Sequence, residues 1–200
     1  MSADLIEIPG YVAGTWTIDP NHSDVGFVIR HLVISKFKGH FTEFEGRIVT
    51  AEDPLKSEVT ATIDMTSIDT ASAQRDEHLR NADFFEVEKY PTMTYRSTGI
   101  RADGDDFLVD GELTLKGVTL PVPLKLEING FGVDPFAPDP AAGARAGFTA
   151  TGEINRMDFG ISYNGSIPGG GVALGEKVQI ILEIQAALQR GGVIRNENRR

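Results

Sequence analysis

Apolar and polar residues alternate along most of this chain. The clearest case is a pair of alternating runs, 107–115 and 120–128, that flank the turn residues Lys116 and Gly117. In the second run one side carries Leu120, Val122, Leu124, Leu126 and Ile128. A period of two is typical of a β-strand with one buried face and one solvated face. The two runs therefore predict neighbouring strands joined by a tight turn.

Similar runs predict most of the remaining strands. They cover residues 16–18, 25–33, 59–65, 93–95, 148–154 and 178–186. Residues 36–50 are predicted as one long strand whose apolar phase changes between Phe41 and Phe44. Gly39 and Gly46 lie on either side of this change, and glycine in a strand is typical of a bulge or bend. We expect the sheet to curve there.

One segment has the features of a helix. The interior of residues 70–82 lacks glycine, proline and β-branched residues. Thr70 or Ser72 can serve as the N-cap, and Asn81 can end the helix. Its few apolar residues predict a helix that lies on the surface or caps an opening.

A proline- and glycine-rich segment interrupts the strand pattern at residues 131–147. Pro135, Pro138 and Pro140 predict a long loop that cannot pair as a strand. Two interpretations are open for Phe131 and Phe136 in this loop. They form a lid over an opening, or they only anchor the loop.

These elements predict an all-β fold, an extended antiparallel barrel of about eight strands with one short helix near residues 70–82. The expected organisation is an N-terminal lead-in at 1–14, one barrel domain at 15–188 and a disordered tail at 189–200. Exposed strand edges also leave a homodimer open.

Composition excludes several classes of function. The formal net charge is −10, which disfavours nucleic-acid binding because phosphate backbones require a basic footprint. There is no cysteine, so disulfides and thiolate metal sites are excluded. The first ten residues lack the basic start and apolar core of a secretory signal, and no segment has transmembrane length. We therefore expect a cytoplasmic protein without an integral membrane segment.

Candidate polar chemistry is sparse. His31 shares its side of a predicted strand with Phe27 and Ile29, so it is either a hydrogen-bonded core or rim histidine or the anchor of a ligand head group. In the helix, Arg75, Asp76 and His78 form either a solvated face or a latch that holds the helix over the barrel mouth. No metal-ligand spacing is present, and we assign no catalytic residue.

Five motifs together resemble the YceI-like family. They are WTIDPNHSDVGFVIRH at 16–31, GHFTEFEG at 39–46, SIDTASAQRDEHLRNADFFEVEKYPTM at 67–93, GELTLKGVT at 111–119 and GFTATGEINRMDFGI at 147–161. The resemblance implies a lipocalin-like barrel that binds, stores or transports a long isoprenoid or similar amphiphilic lipid, such as an isoprenoid quinone, in an apolar tunnel. Many members carry an export signal, which we do not expect here, and the loop at 131–147 is longer than the usual connection.

The expected ligand is therefore a hydrophobic lipid, with no other cofactor required. The residues predicted to contact it are Phe27, Ile29, His31, Ile63, Met93, Tyr95, Val109, Leu113 and Phe159. A tail with about twenty sheltered carbons would gain roughly 16 kcal/mol against water, before association costs. Two alternatives stay open. One is an enzyme that acts on a hydrophobic substrate through His31 or His78, and the other is a fully packed barrel that binds a partner.

Overall fold

The computed structural model describes residues 6–138 and 143–189, and these residues form twelve strands and one α-helix. The strands are β1 (Gly14–Ile18), β2 (Asp24–His31), β3 (Ser35–Phe41), β4 (Phe44–Thr50), β5 (Glu58–Asp64), β6 (Ile68–Asp69), β7 (Thr92–Asp103), β8 (Asp106–Leu115), β9 (Val118–Pro121), β10 (Leu124–Val133), β11 (Ala144–Asn155) and β12 (Leu174–Leu188). The helix is α1 (Ala73–Arg80), and short 3₁₀ turns cover Pro54–Lys56, Met65–Ser67 and Arg156–Phe159. The predicted tail lies outside the described residues apart from Gln189.

Eight of the strands close into an antiparallel barrel. Their order is β1-β4-β5-β7-β8-β10-β11-β12, and pairing between β1 and β12 completes the ring. In this last pair Trp16 lies opposite Leu188 and Ile18 lies opposite Ala186. Closure leaves no unpaired edge in the ring. The predicted all-β barrel with one helix is confirmed.

The remaining long strands extend one end of the barrel. Residues 174–183 of β12 pair with β2, β2 pairs with β3, and β3 pairs with β6. This end also carries α1, the β2–β3 turn and residues 156–173, and it is called the helix end below. The other end carries residues 6–13 and the β10–β11 connection, and it is called the N-terminal end.

Two predicted strands are wrong in detail near the helix end. The alternating run predicted through Val33 stops at His31, because Val33 lies in the β2–β3 turn. The single strand predicted at 36–50 is two strands separated by Thr42 and Glu43. The backbone N–H of Thr42 donates to the carbonyl of Ser67 at 3.2 Å, and that of Glu43 donates to the Ser67 hydroxyl at 3.0 Å.

The β10 strand also differs from the prediction. The run predicted at 120–128 is broken after Pro121, and β10 begins at Leu124. The segment 131–147 was expected to remain unpaired, yet β10 continues to Val133 and Phe131 lies opposite Ala146 of β11. The strand pairing therefore ends at Val133 and Ala144, and of the connection between them the structure describes 134–138 and 143.

A cluster around Trp16 explains why pairing continues into this segment. Trp16 is fully buried, and its indole N–H donates to Thr50 Oγ1 at 2.8 Å. The ring of Phe131 packs edge-on against Trp16, with ring centres 5.6 Å apart, and also contacts Tyr11 and Phe148. Phe131 is thus an anchor of the core at the N-terminal end, whereas Phe136 is 88% exposed.

The α1 helix closes onto the helix end of the barrel. Ser72 is its N-cap, since its hydroxyl accepts from the N–H of Arg75, and Asn81 is its C-cap, as predicted. Leu79 of the helix and Phe84 after it are buried in the same core as the strands. Among the described helices, none has the length and apolar character needed to cross a membrane.

An ionic network on the outer wall ties β11 to the turn after β1. Arg145 contacts Asp19 at 2.5 Å and Asp134 at 3.1 Å, and His22 contacts Asp19 at 2.9 Å. The Arg145 guanidinium, followed by His22, lowers the pKa of the Asp19 carboxyl to about 2. Asp19 therefore stabilises the fold above its unfolded pKa of about 3.9, and this contribution is lost as the pH falls toward 2.

We expect Arg145→Gln to lower the free energy of unfolding by about 1 kcal/mol at neutral pH, after allowance for solvent screening. The difference from the unmodified protein should shrink between about pH 4 and pH 2, because Asp19 becomes protonated in both proteins. Urea unfolding across this pH range measures it. A difference that is constant with pH would contradict the assigned role of Asp19.

Candidate functional site: an apolar cavity inside the barrel

The barrel encloses a cavity of about 620 Å³. Its wall is mostly aliphatic and aromatic. All eight strands of the closed ring contribute side chains to it, and β1 contributes Ile18. Eight of the residues predicted to contact a ligand lie in this wall: Phe27, Ile29, His31, Ile63, Met93, Tyr95, Val109 and Leu113. A volume of this size is typical of sites for small organic ligands, which span roughly 300–1,000 Å³.

Phe159, the ninth predicted contact, is placed differently. It is buried, with 2% of its surface exposed, but it packs in the core beside the cavity and is not part of the wall. It belongs to the 3₁₀ turn Arg156–Phe159, which follows β11. Alternation along a strand does not describe a side chain in such a turn, so Phe159 does not line the cavity, and its contact with a ligand stays a prediction.

The two polar residues predicted for the wall have different surroundings. The Tyr95 hydroxyl donates to the Val122 carbonyl at 2.9 Å, and burial raises the pKa of this phenol. Its ring faces Gly111, where any side chain would collide with the phenol. His31 lies at the end of β2, exposed at the rim of the helix end. As ligand contacts, both stay predictions.

Two of the residues predicted as a helix latch, Arg75 and Asp76, contact Thr70 just before α1, and their role as a latch stays a prediction. The buried carboxylate of Asp76 accepts from the Thr70 backbone N–H at 3.0 Å and from the Thr70 hydroxyl. Arg75 donates to Thr70 Oγ1 at 2.8 Å, and its guanidinium lies over the Phe37 ring at 4.1 Å. His78 contacts Asp83 at 2.7 Å. Arg75 and His78 line the cavity, whereas Asp76 does not.

We expect Asp76→Ala to loosen α1 selectively. It would leave the buried Thr70 N–H and hydroxyl without their acceptor, at a cost of about 2 kcal/mol. If the substitution lowers the free energy of local unfolding of α1 by this amount, amide hydrogen exchange in α1 should become about thirtyfold faster. The barrel strands should stay protected. Glu77→Ala, one position away on the exposed side, is the control. Equal exchange rates in the two variants would contradict the latch.

One buried charged residue of the wall was not predicted from the sequence. Arg156 is 3% exposed, and its guanidinium donates to the carbonyls of Gly175, Ile161 and Tyr163 at 2.8, 2.6 and 2.9 Å. Burial lowers its pKa, and Nη2 has no hydrogen-bond partner among the described residues. The only signal in the sequence is its place in the NRMDFGI motif, which does not reveal what the side chain binds.

Charge is distributed unevenly around the cavity. The wall's basic and imidazole groups, which are His31, Arg75, His78 and Arg156, all belong to the helix end. The wall carboxylates, Glu45 and Glu58, belong to β4 and β5. Within residues 6–138 and 143–189, no cluster of three His, Cys, Asp or Glu side chains could hold a metal ion.

Known proteins resemble this chain in both sequence and fold. The YceI-like domain model matches residues 16–186. Protein YceI of Escherichia coli O17:K52:H18 is 44% identical over 153 residues, which are 75% of this chain and 78% of that protein. BcnA of Burkholderia cenocepacia superposes with a TM-score of 0.71 at 21% identity, over 84% of this chain and 98% of that one.

A polyisoprenoid binding domain from Saccharophagus degradans also superposes, with a TM-score of 0.62 at 17% identity. The overlap covers 87% of this chain and 98% of that domain. The two superpositions support the barrel architecture, and the domain match and the sequence identity to Protein YceI decide the family. The resemblance drawn from the five sequence motifs is confirmed, and the chain belongs to the YceI-like family.

Proposed function

We propose that the barrel binds the apolar tail of an isoprenoid or similar amphiphilic lipid, such as an isoprenoid quinone, and shields it for storage or transport. The observation that carries this proposal is the 620 Å³ apolar cavity inside a closed barrel. A closed ring of strands separates such a tail from water on all sides. The polyisoprenoid binding domain from Saccharophagus degradans shares this barrel architecture, which adds support.

The polar head group is proposed to lie at the helix end. The wall's cationic and imidazole groups are there, and His31 and His78 are partly exposed at its rim. At the opposite end, aromatic and apolar members of the Trp16 cluster, including Phe131 and Phe148, line the cavity. A tail would therefore point toward Trp16 and leave its head group beside α1.

Exchange with a membrane is expected to be close to balanced. Each methylene moved from water into the cavity gains about 0.8 kcal/mol, but a tail in a bilayer is already dry. The free energy of moving the tail from the bilayer into the cavity is therefore close to zero. The fit of the tail to the wall and the head-group contacts then decide the direction of transfer. This favours a protein that accepts several tails of suitable length.

Neither alternative function is favoured by the contacts. For the enzyme, the acid/base candidate His78 has its Nε2 bound to Asp83, and its ring packs edge-on against Phe84 and Tyr163, both 5.0 Å away. These contacts suit a residue that holds the helix. For the partner-binding alternative, a barrel filled by its own side chains would leave no cavity of this size.

The test is to purify the protein without detergent, extract it with organic solvent and identify the released lipids by mass spectrometry. The protein is then stripped and titrated with a short-chain ubiquinone and with a prenol of similar length. We expect a prenyl lipid in stoichiometric amount, or saturable uptake of one of the two probes. No extracted lipid together with no saturable uptake would overturn the proposal.

A further inference from the structure

The β2–β3 turn at the helix end exposes three consecutive apolar side chains. Leu32, Val33 and Ile34 are 40%, 71% and 86% exposed. A soluble domain normally exposes large apolar side chains singly, and a contiguous group marks an interaction surface. Further exposed apolar residues, Met157, Tyr163 and Val172, lie on the connection between β11 and β12 at the same end. We call Leu32, Val33 and Ile34 the apolar tip.

The backbone of the apolar tip is strained. Leu32 and Val33 have φ angles of 51° and 64°, in the left-handed region. Asparagine and glycine adopt this conformation readily, but a β-branched residue such as Val33 is an outlier there. Strain of this kind persists only where surrounding structure holds it, and it clusters at functional sites. A hydrogen bond from the Leu32 N–H to the Ala173 carbonyl, 2.8 Å long, fixes the turn against the β11–β12 connection.

A patch of positive charge flanks the apolar tip. Arg30 and Lys36 are direct cross-strand partners, and Lys38 follows on the same face of β3. Like charges directly opposite each other destabilise a sheet. None of these three side chains has a carboxylate within 4 Å among the described residues. Residues 25–42 contain no Asp or Glu, in a chain whose net charge is −10.

We propose that this hairpin docks the protein on an anionic lipid bilayer, with the apolar tip inserted among the head groups and Arg30, Lys36 and Lys38 against the lipid phosphates. The charge is complementary to such a surface, and the exposed apolar side chains leave water on insertion. Both unfavourable features of the free protein, the exposed apolar tip and the unpaired cations, are relieved by this one partner.

The docked orientation places the cavity at the membrane. His31 and Ser35, which flank the apolar tip, are cross-strand partners and both line the cavity. The apolar tip therefore continues directly into the rim of the helix end. This inference goes beyond the proposed function, because docking can be measured on protein with or without a lipid in its cavity.

The experiment is flotation of the full chain with two kinds of vesicle, one of phosphatidylcholine alone and one in which part of that lipid is replaced by phosphatidylglycerol. The key variant is Leu32→Asn/Val33→Gly/Ile34→Ser, which removes the apolar side chains and supplies residues that suit a positive φ. Its unfolding midpoint should be equal to or above that of the unmodified protein. A second variant, Lys36→Gln/Lys38→Gln, removes two charges.

The matched control is Val133→Thr/Phe136→Ser, which removes two exposed apolar side chains at the N-terminal end. We expect the unmodified protein and this control to bind phosphatidylglycerol vesicles equally. The apolar-tip variant should bind at least about tenfold more weakly, and the charge variant should lose roughly fivefold per cation at low salt. Solvent extraction of the apolar-tip variant should still release the wild-type amount of lipid, which separates this test from that of the cavity.

Three results would overturn the proposal. The first is equal binding to the two kinds of vesicle, and the second is binding that the apolar-tip variant retains. The third is a concentration-dependent dimer in size-exclusion chromatography that the apolar-tip variant abolishes, without any vesicle binding. That last result would assign the apolar tip to contact between copies of this chain.

Discussion

Replacing Trp16 with alanine is expected to lower the free energy of unfolding by about 3–5 kcal/mol, the range for removal of a large buried aromatic side chain. Trp16 is fully buried, and Phe131 packs edge-on against it. It also lies in β1, whose pairing with β12 closes the barrel. Urea unfolding followed by circular dichroism measures the effect, since Trp16 is the single tryptophan and its fluorescence is lost in the variant.

Trp16→Phe is the matched control for this prediction. It keeps an aromatic ring but removes the indole N–H that donates to Thr50, so about 1 kcal/mol should be lost. The Thr50 hydroxyl retains its own bond to the Val12 carbonyl at 2.7 Å. If Trp16→Ala were no less stable than Trp16→Phe, the Trp16 cluster would not be the packed core of the N-terminal end.

Local features of the fold could be predicted because the signals that determine them are local. A two-residue period fixes which side of a strand is apolar, as in β8, where every second residue from Phe107 to Leu115 is buried. The ends of α1 follow from the capping chemistry of Ser72 and Asn81. Closure of the eight-stranded ring is different, because it needs the first and last strands to pair, with Trp16 opposite Leu188.

The features that could not be predicted depend on partners distant in sequence. The break at Thr42 and Glu43 is held by hydrogen bonds to Ser67, about 25 residues away. Strand pairing at Phe131 depends on its packing against Trp16, which lies 115 positions earlier. No pattern within residues 36–50 or 131–147 contains this information, so turn residues and apolar phase alone gave the wrong elements there.

The candidate site could likewise be predicted from the sequence only in part. Alternation identified Ile63, Val109 and Leu113 as inward-facing, and all three line the cavity. It could not identify Arg156, because this guanidinium binds the carbonyls of Ile161 and Tyr163, in a connection that carries no periodic signal. Charged wall residues of this kind are placed by tertiary structure. They are also the groups on which recognition of a lipid head group is expected to depend.

Filling the cavity is expected to weaken uptake of a lipid tail strongly without unfolding the barrel. Ala61 of β5 and Ala150 of β11 both line the cavity. Their strands are four positions apart in the eight-stranded ring, so the two residues lie on opposite walls. In Ala61→Phe/Ala150→Phe two benzyl rings would occupy the space of the tail. Each tail methylene that is excluded forfeits about 0.8 kcal/mol, so the loss of two or more lowers affinity by about tenfold or more.

The matched control for the filled cavity is Thr151→Phe, which adds the same ring to the outer face of β11 next to Ala150. It should take up a short-chain ubiquinone or prenol as the unmodified protein does. Stability separates the two ways in which the filled variant could lose binding. Because the new rings enter an existing void, its unfolding midpoint should be unchanged or higher, whereas overpacking of a solid core would cost about 1–3 kcal/mol per site. A stable filled variant that still binds the probe would place the lipid outside the barrel.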